Sequence, residues 1–250
     1  MTNIKLLIEF DGTNYCGWQR QNGQPSVQET IETALAKLLG APTTLYGAGR
    51  TDSGVHALGQ VANFRSDSTI PHEKFAPALQ QHLPDDILIK ESCAVAENFE
   101  SRFDAVARTY RYRIAWENSA LERNRRWNLR TQPALGALEE AAELFFGDMD
   151  CSALCIPNSL QKNNRCTITH SKWLLAGDEF HYTITGNRFL HSMVRAIVGF
   201  CIKHAQNLAE DAPENGLTVG RIRDILDEGK WTTDHYIAPP QGLYLIEVTY

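Results

Sequence analysis

The hydrophobic pattern opens with IKLLIEF (residues 4–10), a short apolar run that predicts a buried strand. After a glycine-containing turn the period changes. In PSVQETIETALAKLLG, Val27, Ile31, Leu35 and Leu38 recur at helical spacing. Ser26 stands where an N-cap belongs, Glu29 three residues on completes a capping box, and Gly40 ends the run. TTLYGAG (43–49) and ALGQVANF (57–64) predict two strands joined by RTDSGVH. A helix that starts after Pro71, interrupted or kinked at Pro77, precedes a strand over DILIKESCAV. The order is β-α-β-β-α-β.

The second half repeats it. RTYRYRIAW (108–116) alternates as a long strand, with Tyr110 and Tyr112 on one face and Arg111 and Arg113 on the other. ALGALEEAAELFFG predicts a helix with Leu135, Leu138, Ala142 and Phe145 on one side, stopped by Gly147. RCTITHSKWLL and EFHYTITG form a hairpin whose turn carries Gly177. FLHSMVRAIVGFCIKHAQNL (189–208) predicts a helix, a shorter one runs from Val219 to Leu226 after Thr218, and GLYLIEVTY closes as a strand. The expected fold class is α+β: two tandem βαββαβ-like units of RRM or ferredoxin type, residues 1–104 and 105–250, around a central cleft.

Composition narrows the picture. With 43% hydrophobic residues in 250, the chain is globular. No apolar run approaches the roughly 18 residues that span a bilayer. The start, MTNIKLLIEFDG, reads as a strand and not as a signal peptide. Six scattered cysteines without a CxxC pair read as buried thiols in a reducing, cytoplasmic setting. Cys151, Cys155 and Cys166 cluster, with His170 nearby, but their spacing does not match the common zinc patterns. The net charge of −6 argues against broad nonspecific nucleic-acid binding. Between residues 102 and 130, however, eight arginines face only Asp104, Glu117 and Glu122, with Phe103, Tyr110, Tyr112, Trp116 and Trp127 interleaved. Such a segment suits one face for a polyanion, or arginines that merely solvate a strand and a loop.

The chemistry concentrates in GAGRTDSGVH. Neither a GxGxxG fingerprint nor a P-loop lysine is present. Gly47, Gly49 and Gly54 permit tight turns or close approach by a ligand, Arg50 can grip a phosphate, and Asp52 follows two residues later. A lone carboxylate does not suit ordinary glycoside hydrolysis, which uses two. It suits a covalent nucleophile if a cation holds it ionised, and Arg50 and Arg195 are the candidates. Alternatives stay open on these residues alone. Asp52 also fits a turn residue bonding its own backbone, Tyr110 a packing residue and Arg195 the polar stripe of its helix. An RNA-binding module and an enzyme acting on a phosphorylated small molecule are the rival classes.

GRTDSGVHALGQVANF, FDGTNYCGWQRQ, SVQETIETAL, SRFDAVARTYRYRI, GNRFLHSMVRAIVG and APPQGLYLIEV, in order along essentially the whole chain, resemble the tRNA pseudouridine synthase A family. The resemblance implies the pseudouridine synthase fold. It implies isomerisation of uridine to pseudouridine at positions 38, 39 and 40 of the tRNA anticodon stem-loop, without metal or organic cofactor. It implies a homodimer in which each tRNA touches both subunits. Asp52 matches the family's catalytic aspartate. Tyr110 matches the tyrosine that stacks on the target base and takes part in proton removal from C5, and Arg195 the ion-pair partner of the aspartate. Arg50 matches the arginine associated with nucleotide flipping; Thr51, Gly54, His56 and Arg108 are the further substrate contacts implied. The chain departs from the family pattern at CSALCIPNSLQKNNRCTI and at Ser192, where an aromatic or histidine is common.

Overall fold

Along β1 (Thr2–Phe10), Ile4, Leu6, Ile8 and Phe10 are buried while Lys5, Leu7 and Glu9 are half-exposed, the signature of a strand packed on one face. The computed structural model describes residues 1–207, 217–232 and 234–250. It divides the chain into two units, Met1–Arg108 with Tyr244–Tyr250, and Thr109–Leu243. Both mix helices with largely antiparallel strands, so the fold class is α+β.

In the first unit, β1 lies antiparallel between β3 (His56–Ser66) and β4 (Ile87–Val95), with Ile4 opposite Phe64 and Leu6 opposite Ala62. Helix α1 (Val27–Leu39) buries Val27, Ile31, Ala34 and Leu35. Its start is the expected one: Ser26 Oγ accepts from the Glu29 amide at 3.4 Å, and Gly40 closes it at φ 72°. The second helix differs from expectation. A 3-10 turn over His72–Lys74 leads into α2 (Phe75–Gln80), and Pro77 lies within the first turn of α2. There its missing N–H leaves no hydrogen bond unmade, so no break occurs. Phe75 sets its ring edge-on to Phe64 at 5.3 Å.

One edge of β3 is shared by two strands. Its end pairs antiparallel with β2 (Tyr46–Gly47), which is all of TTLYGAG that forms a ladder. Its start pairs in parallel with the closing strand, numbered β10 in chain order (Leu243–Thr249), Tyr244 opposite His56 and Leu245 opposite Ala57. From Tyr244 onward the chain therefore belongs to the first unit, whereas the sequence pattern placed it with the second half. Gly59 permits the approach: a Cβ there would stand 2.3 Å from the Ile246 carbonyl oxygen.

In the second unit, β5 (Ala107–Ala115) is followed across the sheet by β9 (Glu179–Gly186), β8 (Arg165–Ala176) and β7 (Gly147–Asp150); β6 (Trp127–Asn128) pairs in parallel with β5. The β8–β9 hairpin turns at Gly177, φ 68°, as its sequence predicts. Helix α3 (Leu135–Glu143) packs on β8 and on α4 (Met193–Asn207), with Phe145 stacked on Phe200 at 6.3 Å. The α3 helix stops before Gly147, which at φ 100° opens β7 instead. The α4 helix starts four residues later than Phe189, because Ser192 at φ 58° is outside helical geometry and its carbonyl takes the first helical bond, from Ala196 at 3.0 Å. Leu208, expected as its last residue, lies outside the described residues. Helix α5 (Val219–Glu228) is capped by Thr218, whose Oγ1 accepts from the Arg221 amide at 3.1 Å. No helix among the described residues is long and apolar enough to cross a membrane.

Candidate active site

The loop from Ala48 to Val55 leaves the sheet at β2 and returns at β3, so it hangs from paired strands at both ends. A second stretch, residues 11–18, grips it from the side. The Trp18 amide donates to Thr51 O at 3.2 Å, the Gly54 amide to Tyr15 O at 3.2 Å and Ser53 Oγ to the same oxygen at 3.3 Å. Within the loop the Val55 amide donates to Asp52 O at 3.2 Å. Glycine makes the grip possible: a Cβ on Gly12 would stand 2.0 Å from Val55 O, and one on Gly17 would stand 2.4 Å from Thr51 O. Tyr15, itself buried, donates to Asp86 Oδ1 at 2.6 Å; burial and that carboxylate push its hydroxyl well above the usual tyrosine range.

On this platform Asp52 is half-buried and Arg50 is exposed. Gly54 takes φ 76°, which turns the chain back toward β3. Thr51 is buried, and its hydroxyl has no partner among the described residues. A buried hydroxyl left so costs about 1–3 kcal/mol, a cost that recurs at functional positions. His56 lies beneath the loop, 2% exposed, its ring stacked on Tyr244 at 4.7 Å and its Nδ1 accepting from the Gly12 amide at 3.0 Å. Asp11 Oδ1 is 3.2 Å from the same nitrogen. Arg108 spends its guanidinium on carbonyls: Ala105 O at 3.0 Å, Arg102 O at 2.7 Å and Ala48 O at 3.1 Å. Its bond to Ala48 braces the root of the loop. The six first-unit residues singled out in the sequence are thus one neighbourhood, with Arg50 and Asp52 the accessible members.

In the second unit, Tyr110, Tyr112 and Ile114 are buried while Arg111 and Arg113 are half-exposed, the alternation the pattern predicts. Phe189 meets Tyr110 edge-to-face at 5.1 Å. Arg195 is half-buried near the start of α4 and is doubly tied to the segment before β10: its Nε donates to Ala238 O at 2.7 Å, and the Ala238 amide donates to Arg195 O at 3.1 Å. Tyr112 donates to Pro239 O at 2.6 Å, and burial pushes its hydroxyl well up. The arginine-rich segment is not uniformly a phosphate face. Arg113 pairs with Glu179 at 2.9 Å and Glu122 at 3.3 Å, and Arg126, 6% exposed, lies 3.8 Å from Asp178. Arg102, Arg123, Arg125 and Arg130 are the exposed members. Among the described residues no group of three His, Cys, Asp or Glu side chains is placed to hold a metal ion.

Sequence reasoning did not single out Gly12, Gly17, Trp18 or Tyr15 as parts of the site. The signal was the glycine spacing in DGTNYCGW, which marks two close backbone approaches but not what is approached. Phe189, Tyr244 and Ala238 carried no local signal, since each acts through a neighbour distant in sequence.

A family model described as tRNA pseudouridine synthase matches residues 6–104 and 141–250. The tRNA pseudouridine synthase A of Acetivibrio thermocellus is 40% identical, with both chains covered completely. The enzyme of that name from Geobacter sp. strain M21 is 38% identical over the whole of this chain and 99% of its own. Ruminiclostridium cellulolyticum has a counterpart at 39%, again over both full chains. Matched by the family model over most of its length and by the relatives from end to end, this chain belongs to the tRNA pseudouridine synthase family, enzymes that isomerise uridine to pseudouridine.

Proposed function

We propose that this chain converts uridine to pseudouridine at positions 38, 39 and 40 of the tRNA anticodon stem-loop, as a homodimer in the cytoplasm, with Asp52 as the attacking group. The observation that supports it most is a half-buried carboxylate on a loop fixed by the 11–18 stretch, since a covalent nucleophile must be held before substrate arrives. The target nucleotide leaves its stack at a cost of a few kcal/mol, and Arg50, exposed beside Asp52, holds the flanking backbone. Asp52 then attacks C1′ of the ribose or C6 of the uracil. The N1–C1′ bond breaks, the base turns, C5 bonds to C1′, and the C5 proton is lost. In this reading Arg195 supplies the cation that keeps the carboxylate ionised, and Tyr110 stacks on the base and takes part in removing the C5 proton. His56 and Arg108 act as positioning residues under the loop and at its root, and Thr51 and Gly54 complete the substrate contacts. Uracil anion is a tolerable leaving group that stays bound, so no metal or organic cofactor is required.

The test is release of tritium from C5-labelled uridine in unmodified tRNA. Release by the intact protein is expected, with Asp52→Ala losing turnover by on the order of 10⁴ or more while retaining tRNA binding. Turnover by Asp52→Ala would end the assignment. Arg195→Ala is expected to lower both stability and turnover, whereas unchanged values would place Arg195 outside the chemistry. Mapping modified uridines in tRNA from a deletion strain, with and without this gene, tests the three positions. Turnover is expected to persist in EDTA.

A further inference from the structure

Ser101 is 0% exposed, and two residues on Phe103 is 74% exposed. The turn that lifts this ring into solvent is densely bonded. The Ser101 amide donates to Asn63 Oδ1 at 3.0 Å and its hydroxyl to Tyr46 O at 2.6 Å, while the Tyr250 hydroxyl donates to Ser101 O at 2.8 Å. The Phe103 and Asp104 amides both donate to Glu100 O, at 3.1 and 3.0 Å, and the Glu100 amide donates to Asp104 Oδ2 at 2.8 Å. A fixed turn, and not a loose loop, therefore displays the ring. The Arg102 guanidinium lies 5.5 Å from its centroid, within cation–π range. Two more exposed apolar side chains flank the turn: Tyr46, whose carbonyl Ser101 holds, and Val106, whose amide donates to Thr249 O at 2.8 Å. One exposed apolar side chain is ordinary, but several around a single turn mark a contact surface.

The turn is joined to the loop that carries Asp52. Arg108 Nη2 donates to Arg102 O at 2.7 Å and to Ala48 O at 3.1 Å. One nitrogen thus fixes the backbone beside Phe103 against the root of that loop. Asp52 follows Ala48 by four residues, at most about 14 Å of chain. A strand whose uridine reaches Asp52 consequently passes close to the turn. Charge selects which part of the strand fits. Glu100 and Asp104, on either side of the ring in sequence, are exposed acids that disfavour a phosphate. The face of a base carries no net charge and stacks on an aromatic ring whatever its identity.

We infer that Phe103, with the Arg102 guanidinium against its ring, is a stacking platform for an unpaired nucleotide of the tRNA near the target uridine. The inference rests on the substrate proposed above and adds a contact to it. A neighbouring base held on Phe103 keeps the strand in place while the target nucleotide leaves its stack and its base turns. The contact is the same before and during the reaction, so it contributes to affinity and leaves the chemical step alone.

The experiment compares the intact chain with Phe103→Ala and Phe103→Tyr. Steady-state tritium release from C5-labelled uridine in unmodified tRNA gives kcat and KM for each. Phe103→Ala is expected to raise KM by about 5- to 100-fold, the loss of one stacked base, with kcat within about two-fold. Phe103→Tyr, which keeps the ring, is expected to restore KM, and all three proteins are expected to melt together. Unchanged KM in Phe103→Ala overturns the platform, as does a loss of kcat alone. To find the stacked base, an unmodified anticodon stem-loop RNA carries 2-aminopurine at each unpaired position in turn. One position is expected to be quenched by the intact chain and by Phe103→Tyr but not by Phe103→Ala. Identical fluorescence with all three proteins at every position overturns the inference. A change of oligomeric state in Phe103→Ala, read by sedimentation, assigns the ring to contact between protein copies and overturns it as well. Failure of the intact chain to bind the stem-loop at all overturns the proposed substrate and the platform with it, whereas binding that Phe103→Ala leaves unchanged overturns the platform alone.

Discussion

A methyl group at Gly17 would meet Thr51 O at 2.4 Å on a backbone held at φ 95°, so Gly17→Ala incurs both steric and conformational penalties. Together they amount to about 2–4 kcal/mol. The loop can escape by giving up the Trp18 amide bond to Thr51. The expected outcome is a protein that keeps its circular dichroism, melts several degrees lower and loses most of its tritium release. A second residue sets a pH limit. His235 Nε2 faces Ala153 O at 2.5 Å, its Nδ1 accepts from the Thr232 amide at 3.0 Å, and its ring stacks on Trp231 at 4.1 Å. Burial lowers its pKa below the ordinary value of 6.5. The folded protein thus binds the proton less readily than the unfolded chain does, and stability present above pH 6.5 is lost as pH falls toward the depressed value. Melting temperature is expected to decline from pH 6.5 downward in the native protein, and a flatter profile is expected for His235→Gln.

Among the elements, α4 shows how much of the candidate site depends on close packing. A Cβ on Gly199 would stand 1.8 Å from the Tyr236 carbonyl oxygen, so the helix and the 236–239 segment touch backbone to backbone. The same segment holds Arg195 through Ala238. Gly199→Ala is therefore expected to cost more than Ser26→Ala, which removes one N-cap bond worth about 1 kcal/mol. Urea titrations of the two variants rank them, and Gly199→Ala alone is expected to reduce turnover. Helix α1, the β8–β9 hairpin and the start of α5 were legible because cap, period and turn glycine are adjacent in sequence. The late start of α4 was not, because Ser192 at φ 58° is an unfavourable conformation for a serine and only surrounding structure holds it there. Nor was β7, four residues with no hydrophobic period of their own.

For the whole molecule, a net charge of −6 makes substrate binding depend on where positive charge is exposed. Arg113 and Arg126 belong to an internal network with Glu179, Glu122 and Asp178, so their loss is a matter of stability. Arg123 and Arg130 are exposed and available to phosphates. tRNA affinity is expected to fall with the logarithm of salt concentration. Arg123→Gln and Arg130→Gln should make that slope shallower with little change in melting temperature. Arg113→Gln should leave the slope alone and destabilise by about 1–3 kcal/mol, since Glu179 is 12% exposed and loses its nearest cation. Filter binding at several salt concentrations, beside thermal melts, separates the two groups.

By itself the sequence determined the α+β class, the first unit's helix and strand order, the GRTD loop between two strands and the family, because each is written in contiguous residues. Tertiary structure alone decided that β10 closes the first unit, that His56 lies beneath the loop while Arg108 braces its root, and which arginines face solvent. Those outcomes rest on approaches between residues far apart in the chain: Gly59 to Ile246, Gly12 to Val55, Arg108 to Ala48 and Arg113 to Glu179. Local periodicity reports which face of an element is apolar, and it carries no information about which distant backbone comes to cover it.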